Sequence, residues 1–143
     1  MQYIGSVISA PVPINLSTLE LPLLGRIEAG FPSPATDFIE APIDLARLLN
    51  KRPTVTYTFR VKGNSMAPTI IDGAILVVDK SIKPGHNHIV IANVNGGFVV
   101  KRLYTKDGFV SLLPDNPDFS PIVIEPDLGL EIFGVVTWIL HQS

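Results

Sequence analysis

HIVIANVNGGFVVKRLY, residues 88–104, contains the clearest structural signal in this sequence. Two apolar runs rich in strand-forming residues flank Asn95-Gly96-Gly97, residues that accept the positive φ of a tight hairpin turn. β-Branched and aromatic residues favour pleated, half-buried strands. A second hairpin is predicted directly afterwards, because Lys106-Asp107-Gly108 separates KRLY from FVSLL. The centre of the chain is therefore predicted to form consecutive β-hairpins.

The sequence as a whole is cut into short β-rich pieces by 13 prolines and 11 glycines. Further strands are predicted at 23–28, 56–62, 74–79 and 130–140. Only IDLARLLN, residues 43–50, places leucines at helical spacing, and Pro53 limits its extent. The sequence thus predicts a mostly β fold with one short helix.

Composition and charge bound the classes of function. The 143 residues suit one domain, and 46% hydrophobic residues supply a packed core. A net charge of −2 with scattered Lys and Arg lacks the footprint of direct DNA binding. The first twenty residues carry no Lys or Arg, and the apolar run at 132–140 is too short to cross a bilayer. We expect a soluble cytoplasmic protein with no membrane partner, and the absence of cysteine agrees with a reducing compartment.

The first forty residues differ from the rest in character. EAGFPSPATDFIE, residues 28–40, is loop-like because Pro32 and Pro34 disfavour regular strand pairing. We predict an extended N-terminal arm, residues 1–40, outside a compact body, residues 41–143. The alternative is a disordered tail. The apolar content of LELPLLGRI argues against a simple solvated tail.

VKGNSMAPTIIDG, residues 61–73, contains the candidate nucleophile Ser65. A Ser-His-Asp site is poorly supported, because GNSMA is G-x-S-x-A and not the G-x-S-x-G elbow. His86 and His88 could supply two metal ligands, but no HExxH motif or carboxylate cluster accompanies them. No Gly-rich phosphate loop occurs. We therefore expect neither a metal nor a cofactor.

Lysine is the remaining candidate base. In GFVVKRLY the side chains alternate, so Lys101 and Arg102 lie on opposite faces and one cation must sit among apolar neighbours. Burial lowers a lysine pKa from ~10.4 towards ~7–8, and a neutral amine can take a serine proton. Arginine cannot do so, because it stays protonated. From the residues alone, Lys101 could equally be a solubility charge on an edge strand.

Three segments, AGFPSPA, GNSM followed by DG, and FVVKRL, stand in the order found in the LexA/UmuD-type self-cleaving serine peptidases. The sequence resembles this family from about Leu23 to Thr137, and its length and FPSPA stretch are most like the UmuD-like members. Those members are SOS-response subunits of an error-prone translesion polymerase. The resemblance implies a compact curved β-sheet or partial barrel.

The resemblance also implies roles for individual residues. Ser65 would be the nucleophile, Lys101 the general base, and Ala29-Gly30 the bond that the protein cuts in its own arm. The backbone N–H groups of Asn64 and Ser65 would stabilise the oxyanion. The implied partners are a second copy of the chain, a RecA–single-stranded-DNA filament and a Y-family DNA polymerase.

Departures and rivals accompany the resemblance. Asp72-Gly73-Ala74 stands where relatives commonly have Asp-Gly-Asp. SMAPTI also resembles the nucleophile segment of signal peptidases, which would need an N-terminal membrane anchor. A repressor would need a helix-turn-helix domain ahead of the body, and residues 1–40 are too few and too Pro-broken for one. The competing class of function is a non-catalytic dimeric module that binds a polymerase.

Overall fold

The computed structural model of the chain describes residues 7–8, 12–13, 20–23, 40–125 and 130–143. The N-terminal strands are β1 (Val7–Ile8), β2 (Val12–Pro13), β3 (Glu20–Leu23) and β4 (Glu40–Asp44). Helix α1 (Leu45–Leu49) and a 3-10 turn (Pro53–Val55) follow. The remaining strands are β5 (Thr56–Lys62), β6 (Ile75–Asp79), β7 (Ile89–Val94), β8 (Gly97–Lys106), β9 (Phe109–Leu113), β10 (Ile122–Ile124) and β11 (Leu130–Leu140).

Nine of the described strands form one open antiparallel sheet in the order β1-β5-β6-β11-β7-β8-β9-β10, and β2 also pairs with β5. Strands β3 and β4 form a separate two-stranded sheet. The predicted mostly β fold with one short helix is therefore confirmed. Strands β1 and β2, from the first forty residues, pair with β5 of the predicted body. The division of the chain at residue 40 stays a prediction.

Both predicted hairpins are present. Strands β7 and β8 are joined at Asn95 and Gly96, which have φ values of 51° and 87°. Strands β8 and β9 are joined at Asp107 and Gly108, with φ values of 51° and 81°. Positive φ at both central residues gives a turn whose twist matches the flanking strands. The local turn residues thus set the register in which Val90 faces Lys101.

The other predicted elements agree with the structure where they are long. Strands β5 and β11 have the predicted bounds, and β6 begins one residue later than predicted, at Ile75. Helix α1 is shorter than predicted because Asp44 caps it, accepting a 3.3 Å hydrogen bond from the Arg47 N–H. Strand β3 ends at Leu23, and residues 24–28 of the strand predicted there lie outside the described residues. Strands β1, β2, β4 and β10 were not predicted.

Apolar side chains cover both faces of the central strands. One cluster contains Phe59, Met66, Ile70, Leu76 and Val100. A second cluster contains Val90, Val99, Leu103, Leu112 and Val135. Because both faces are covered, three consecutive β8 residues, Val99, Val100 and Lys101, are buried together. The fold therefore places the β8 lysine in an environment largely without water.

Candidate active site

The loop between β5 and β6 carries Ser65. It is closed at its base, because the Gly73 N–H donates to the Val61 carbonyl at 2.8 Å and the Val61 N–H donates to the Ala74 carbonyl at 2.8 Å. Within the loop, Asp72 Oδ1 accepts a 2.7 Å hydrogen bond from the Gly63 N–H. Gly63 has a φ of 103°, a backbone conformation that residues other than glycine rarely adopt. Gly63-Asn64 before the serine and Asp72-Gly73 after it are thus brought together by hydrogen bonds, which close the loop.

Residues 64–70 form a compact turn within this loop. The Ala67 N–H donates to the Asn64 carbonyl at 3.1 Å, and the Ile70 N–H donates to the Met66 carbonyl at 2.9 Å. Met66 and Ile70 are fully buried in the core, so they anchor the turn on both sides. Ser65 is consequently held with none of its surface exposed.

Ala74, which follows the Asp72-Gly73 pair, is completely buried in the same apolar cluster as Met66 and Ile70. A carboxylate in that environment would lose its hydration, which costs several kcal/mol unless a partner compensates. The alanine therefore suits the core of this particular chain. The carboxylate of Asp72, two residues earlier, holds the loop together through its hydrogen bond with the Gly63 N–H.

Lys101 on β8 contacts Ser65 directly. Its Nζ atom donates a 2.7 Å hydrogen bond to Ser65 Oγ, and none of its surface is exposed. Burial lowers the pKa of Lys101 from 10.5 to about 8. Among the described residues the ion pairs are Arg52–Asp79 and Arg102–Asp115, and neither includes this lysine. Desolvation without a paired carboxylate is the reason that the amine loses its proton readily.

Arg102 is the cation that the strand alternation directs to the other face. Its Nε and terminal nitrogen donate to the two oxygens of Asp115 at 2.9 and 2.8 Å. This hydrogen bonding, more than any other contact, lowers the pKa of Asp115. The same carboxylate accepts a 2.6 Å hydrogen bond from Thr69 Oγ1 on the serine turn. The structure thus buries the lysine and pairs the arginine, a choice that alternation alone left open.

A segment after β9 also reaches the serine turn. The Asn116 N–H donates to the Ser65 carbonyl at 3.0 Å, and Asn116 Nδ2 donates to the Asn64 carbonyl at 2.9 Å. The Asp115 N–H lies 3.4 Å from Met66 Sδ as a hydrogen-bond donor. Sequence reasoning missed Thr69, Asp115 and Asn116. The polar run PDNPD, residues 114–118, directly after a strand was the available signal, but nothing in it names the serine turn as its partner.

The two central histidines support loops. His86 Nδ1 accepts a 3.0 Å hydrogen bond from the Thr105 N–H, and its ring packs edge-on against Tyr104. His88 Nδ1 accepts a 3.0 Å hydrogen bond from the Gly85 N–H. In the part of the chain that the structure describes, no group of three or more His, Cys, Asp or Glu could hold a metal ion. Each histidine thus has a local structural contact.

Ala29 and Gly30, the predicted cleavage site, lie outside the described residues. Their place relative to Ser65 stays a prediction. What the described residues establish is a buried hydroxyl in contact with a buried amine whose pKa is lowered to about 8. Such a pair can exchange a proton near neutral pH, which is the requirement for activating a serine as a nucleophile. Among the described residues, no helix has the length and apolar character needed to cross a membrane.

Comparison with known proteins defines the class. Residues 22–137 match the family described as Peptidase S24-like. The match covers the serine loop, the lysine strand and most of β11, so the class of protein is a serine peptidase.

Individual relatives agree with this class. Protein ImpA of Salmonella typhimurium is 41% identical over 120 residues, which cover 82% of this chain and 81% of the relative. Protein SamA of Salmonella typhimurium strain LT2 is 43% identical over 119 residues, 82% of each chain. The LexA repressor of Bordetella avium is 35% identical over 134 residues, 92% of this chain and 62% of the repressor. The chain belongs to the S24 peptidase family and is a self-cleaving serine peptidase of the LexA/UmuD type, which acts in the SOS response.

Proposed function

We propose that Ser65 is the nucleophile and Lys101 the general base of a reaction in which the protein cuts its own Ala29-Gly30 bond. The observation that carries the proposal is the 2.7 Å contact between Lys101 Nζ and Ser65 Oγ, with both residues fully buried. At pH 7 a lysine with a pKa of about 8 is neutral in about one molecule in ten, against about one in three thousand at 10.5. The buried amine therefore accepts a proton at physiological pH.

The reaction proceeds through an ester on the serine. Ser65 Oγ attacks the carbonyl carbon of Ala29 while Lys101 Nζ takes the hydroxyl proton. The tetrahedral intermediate breaks the bond to the Gly30 nitrogen, and the Lys101 ammonium returns the proton to that nitrogen. Water then hydrolyses the ester with Lys101 again as base. The products are residues 1–29 and residues 30–143, and the larger product keeps both catalytic side chains.

The backbone N–H groups of Asn64 and Ser65 stabilise the negative oxygen of the intermediate. Preorganised donors of this kind contribute most when they point at the place where charge develops. The small side chains of Ala29 and Gly30 leave the serine unobstructed, and Gly30 lets the arm bend sharply into the cleft.

Cleavage is regulated and serves a polymerase. The resemblance to UmuD-like proteins supports a RecA–single-stranded-DNA filament as the stimulator, and such a partner acts by binding the cleavage-competent conformation better than the resting one. The shortened protein, as a homodimer, then joins a Y-family polymerase for synthesis past lesions. The similarity to ImpA and SamA over most of both chains supports this assignment.

The experiment that tests the chemistry uses no partner. Purified protein is incubated at pH 10, where Lys101 is neutral, and the fragments are followed on a gel and by intact mass. The expected product is a fragment that begins at Gly30. Ser65→Ala and Lys101→Ala should both stay intact. An uncut chain, or a product that survives Ser65→Ala, contradicts the proposal.

A second experiment tests the stimulus. The protein is mixed near pH 7 with RecA, nucleotide and single-stranded DNA, and its mass is measured. The same fragment should appear faster than without the filament, and Lys101→Ala should stay intact. An unchanged mass under both conditions would favour the non-catalytic polymerase-binding module instead.

A further inference from the structure

The Asp115–Asn116 loop, defined as residues 114–119, holds the serine turn from the side of β9. Asn116 contacts the two residues that frame the nucleophile: its N–H donates to the Ser65 carbonyl at 3.0 Å and its Nδ2 donates to the Asn64 carbonyl at 2.9 Å. The contact with Asn64 joins positions 52 residues apart in sequence. One side chain therefore connects the end of the β8–β9 hairpin to the backbone beside Ser65.

The hydrogen bond from Asn116 Nδ2 to the Asn64 carbonyl influences the direction of the Ser65 N–H. The Asn64 carbonyl and the Ser65 N–H belong to one planar peptide unit, in which they point in opposite directions. Asn116 Nδ2 and the Ala67 N–H both donate to that carbonyl, at 2.9 and 3.1 Å. Because these two donors fix the direction of the Asn64 carbonyl, they also fix the orientation of the peptide plane. The direction of the Ser65 N–H, which lies in that plane, is thereby set.

Asn116 is itself held by two hydrogen bonds within its own loop. Its Oδ1 accepts a 3.0 Å hydrogen bond from the Asp118 N–H, and its carbonyl accepts a 3.1 Å hydrogen bond from the Phe119 N–H. The use of Oδ1 by Asp118 directs Nδ2 towards Asn64. The neighbouring Asp115 carboxylate binds Arg102 and Thr69, so the loop is tied to both the lysine strand and the serine turn.

We propose that Asn116 is a positioning residue for self-cleavage: by holding the Asn64 carbonyl, it aims the Ser65 N–H at the oxygen that becomes negative in the intermediate. This inference rests on the proposed function, because it assigns Asn116 to the oxyanion donors of that reaction. Asn116 donates to backbone carbonyls, and its described hydrogen bonds involve neither the Ser65 hydroxyl nor the Lys101 amine. Its loss should therefore lower the rate of the chemical step without changing the protonation of Lys101.

The test uses the near-isosteric change Asn116→Asp, which keeps the acceptor for the Asp118 N–H but replaces the donor to Asn64 by an oxygen. Loss of a whole oxyanion donor costs about 100- to 1,000-fold in rate, so misdirection of one should lower the plateau of the pH–rate profile about 10- to 100-fold. The matched control is Asn93→Asp, which adds the same charge to a side chain whose Oδ1 accepts a 2.9 Å hydrogen bond from the Gly96 N–H in the β7–β8 turn. The control should keep the original plateau.

Asn116→Ala separates positioning from charge. A new carboxylate near Lys101 would raise the pKa of the lysine and move the profile to higher pH, whereas alanine adds no charge. Both Asn116 variants should show a lower plateau, and the alanine variant should keep the original midpoint. Thermal unfolding followed by circular dichroism establishes that rates are compared on folded protein.

The outcomes distinguish the two proposals. If the unchanged protein is cut and both Asn116 variants reach its plateau at high pH, the positioning role is wrong and the proposed function stands. An equal loss in Asn93→Asp, or a loss in Asn116→Asp that high pH restores completely, also overturns the positioning role. If the unchanged protein is not cut, or Ser65→Ala is cut, both proposals fail.

Discussion

Lys101 Nζ and Ser65 Oγ are in 2.7 Å contact although 36 positions separate the residues in sequence, and both are completely buried. The contact joins strand β8 to the loop between β5 and β6. Burial, not a neighbouring charge, lowers the pKa of the lysine to about 8. The same packing that brings the two side chains together therefore prepares the amine to accept a proton.

The pH dependence of self-cleavage follows from this pKa. Only the neutral fraction of Lys101 can accept the serine proton, so the rate should rise about tenfold per pH unit below pH 8 and level off above it. The rate of fragment formation between pH 6 and pH 11 measures the profile. Lys101→Arg is the control, because arginine stays protonated and should prevent cleavage at every pH. A rate that keeps rising beyond pH 10 would indicate an ordinary solvated lysine.

The same pKa predicts a stability cost. Lys101 has a pKa of about 8 in the folded chain against 10.5 as an ordinary lysine, so the unfolded chain binds more protons between these values and the folded state gains stability as pH rises. Below pH 8 the cost of the buried amine is about 3 kcal/mol. In a Ser65→Ala background that prevents cleavage, Lys101→Met should raise the free energy of unfolding by about 1–3 kcal/mol at pH 7.

Urea unfolding of the two background-matched proteins at pH 7 and pH 10 measures this difference. The advantage of the methionine variant should shrink at pH 10, where the unfolded lysine is also losing its charge. A methionine variant that is equally destabilised at both values of pH would contradict the argument.

The Arg102–Asp115 pair should stabilise the fold in the opposite pH window. Hydrogen bonding to Arg102 lowers the pKa of Asp115 below 3.8, so its contribution is complete at neutral pH and disappears as pH falls through the lowered value. Arg102→Gln should lower the free energy of unfolding by about 1–2 kcal/mol at pH 7. The loss should diminish as Asp115 becomes protonated.

Lys106→Gln is the matched control for charge, because Lys106 is an exposed cation on the same strand. It should change stability by less than about 0.5 kcal/mol. Urea titrations at pH 7 and at about pH 2, below the lowered pKa of Asp115, compare the variants. Equal effects of the two substitutions would mean that the ion pair contributes nothing specific.

Gly134 should be intolerant of a side chain. Strand β11 shifts register between Ile132 and Gly134, and a Cβ at Gly134 would lie 2.7 Å from Val78 Cγ1 and 3.0 Å from the Asp79 carbonyl oxygen. Gly134→Ala should therefore lower the free energy of unfolding by about 1–3 kcal/mol through overpacking. In Gly97→Ala the nearest atom lies 3.7 Å away, so this control in β8 should have little effect. Thermal unfolding compares the two, and equal melting temperatures would contradict the prediction.

Local sequence patterns predicted the long strands and both hairpins. Asn95-Gly96 and Asp107-Gly108 adopt positive φ without the help of distant residues, and apolar runs mark β5 and β11. Strand β10, at three residues, is too short for a period to show. Strands as short as β1 and β2 exist through their pairing with β5, which lies far along the chain. Strands this short therefore could not be predicted from local sequence patterns.

The sequence by itself determined the β-rich fold and the two hairpin turns, because backbone preference and strand alternation are properties of neighbouring residues. It also indicated Ser65 and Lys101 as a candidate pair, through three motifs whose order resembles that of the LexA/UmuD-type peptidases. Tertiary structure alone decided that Lys101 is buried while Arg102 pairs with Asp115, and that Asn116 lies against the serine turn. The physical reason is that desolvation and hydrogen bonding depend on segments that only folding brings together. The atoms that bury Lys101 and lower its pKa come from separate strands and loops, and so does the Asn116 side chain that holds the Asn64 carbonyl.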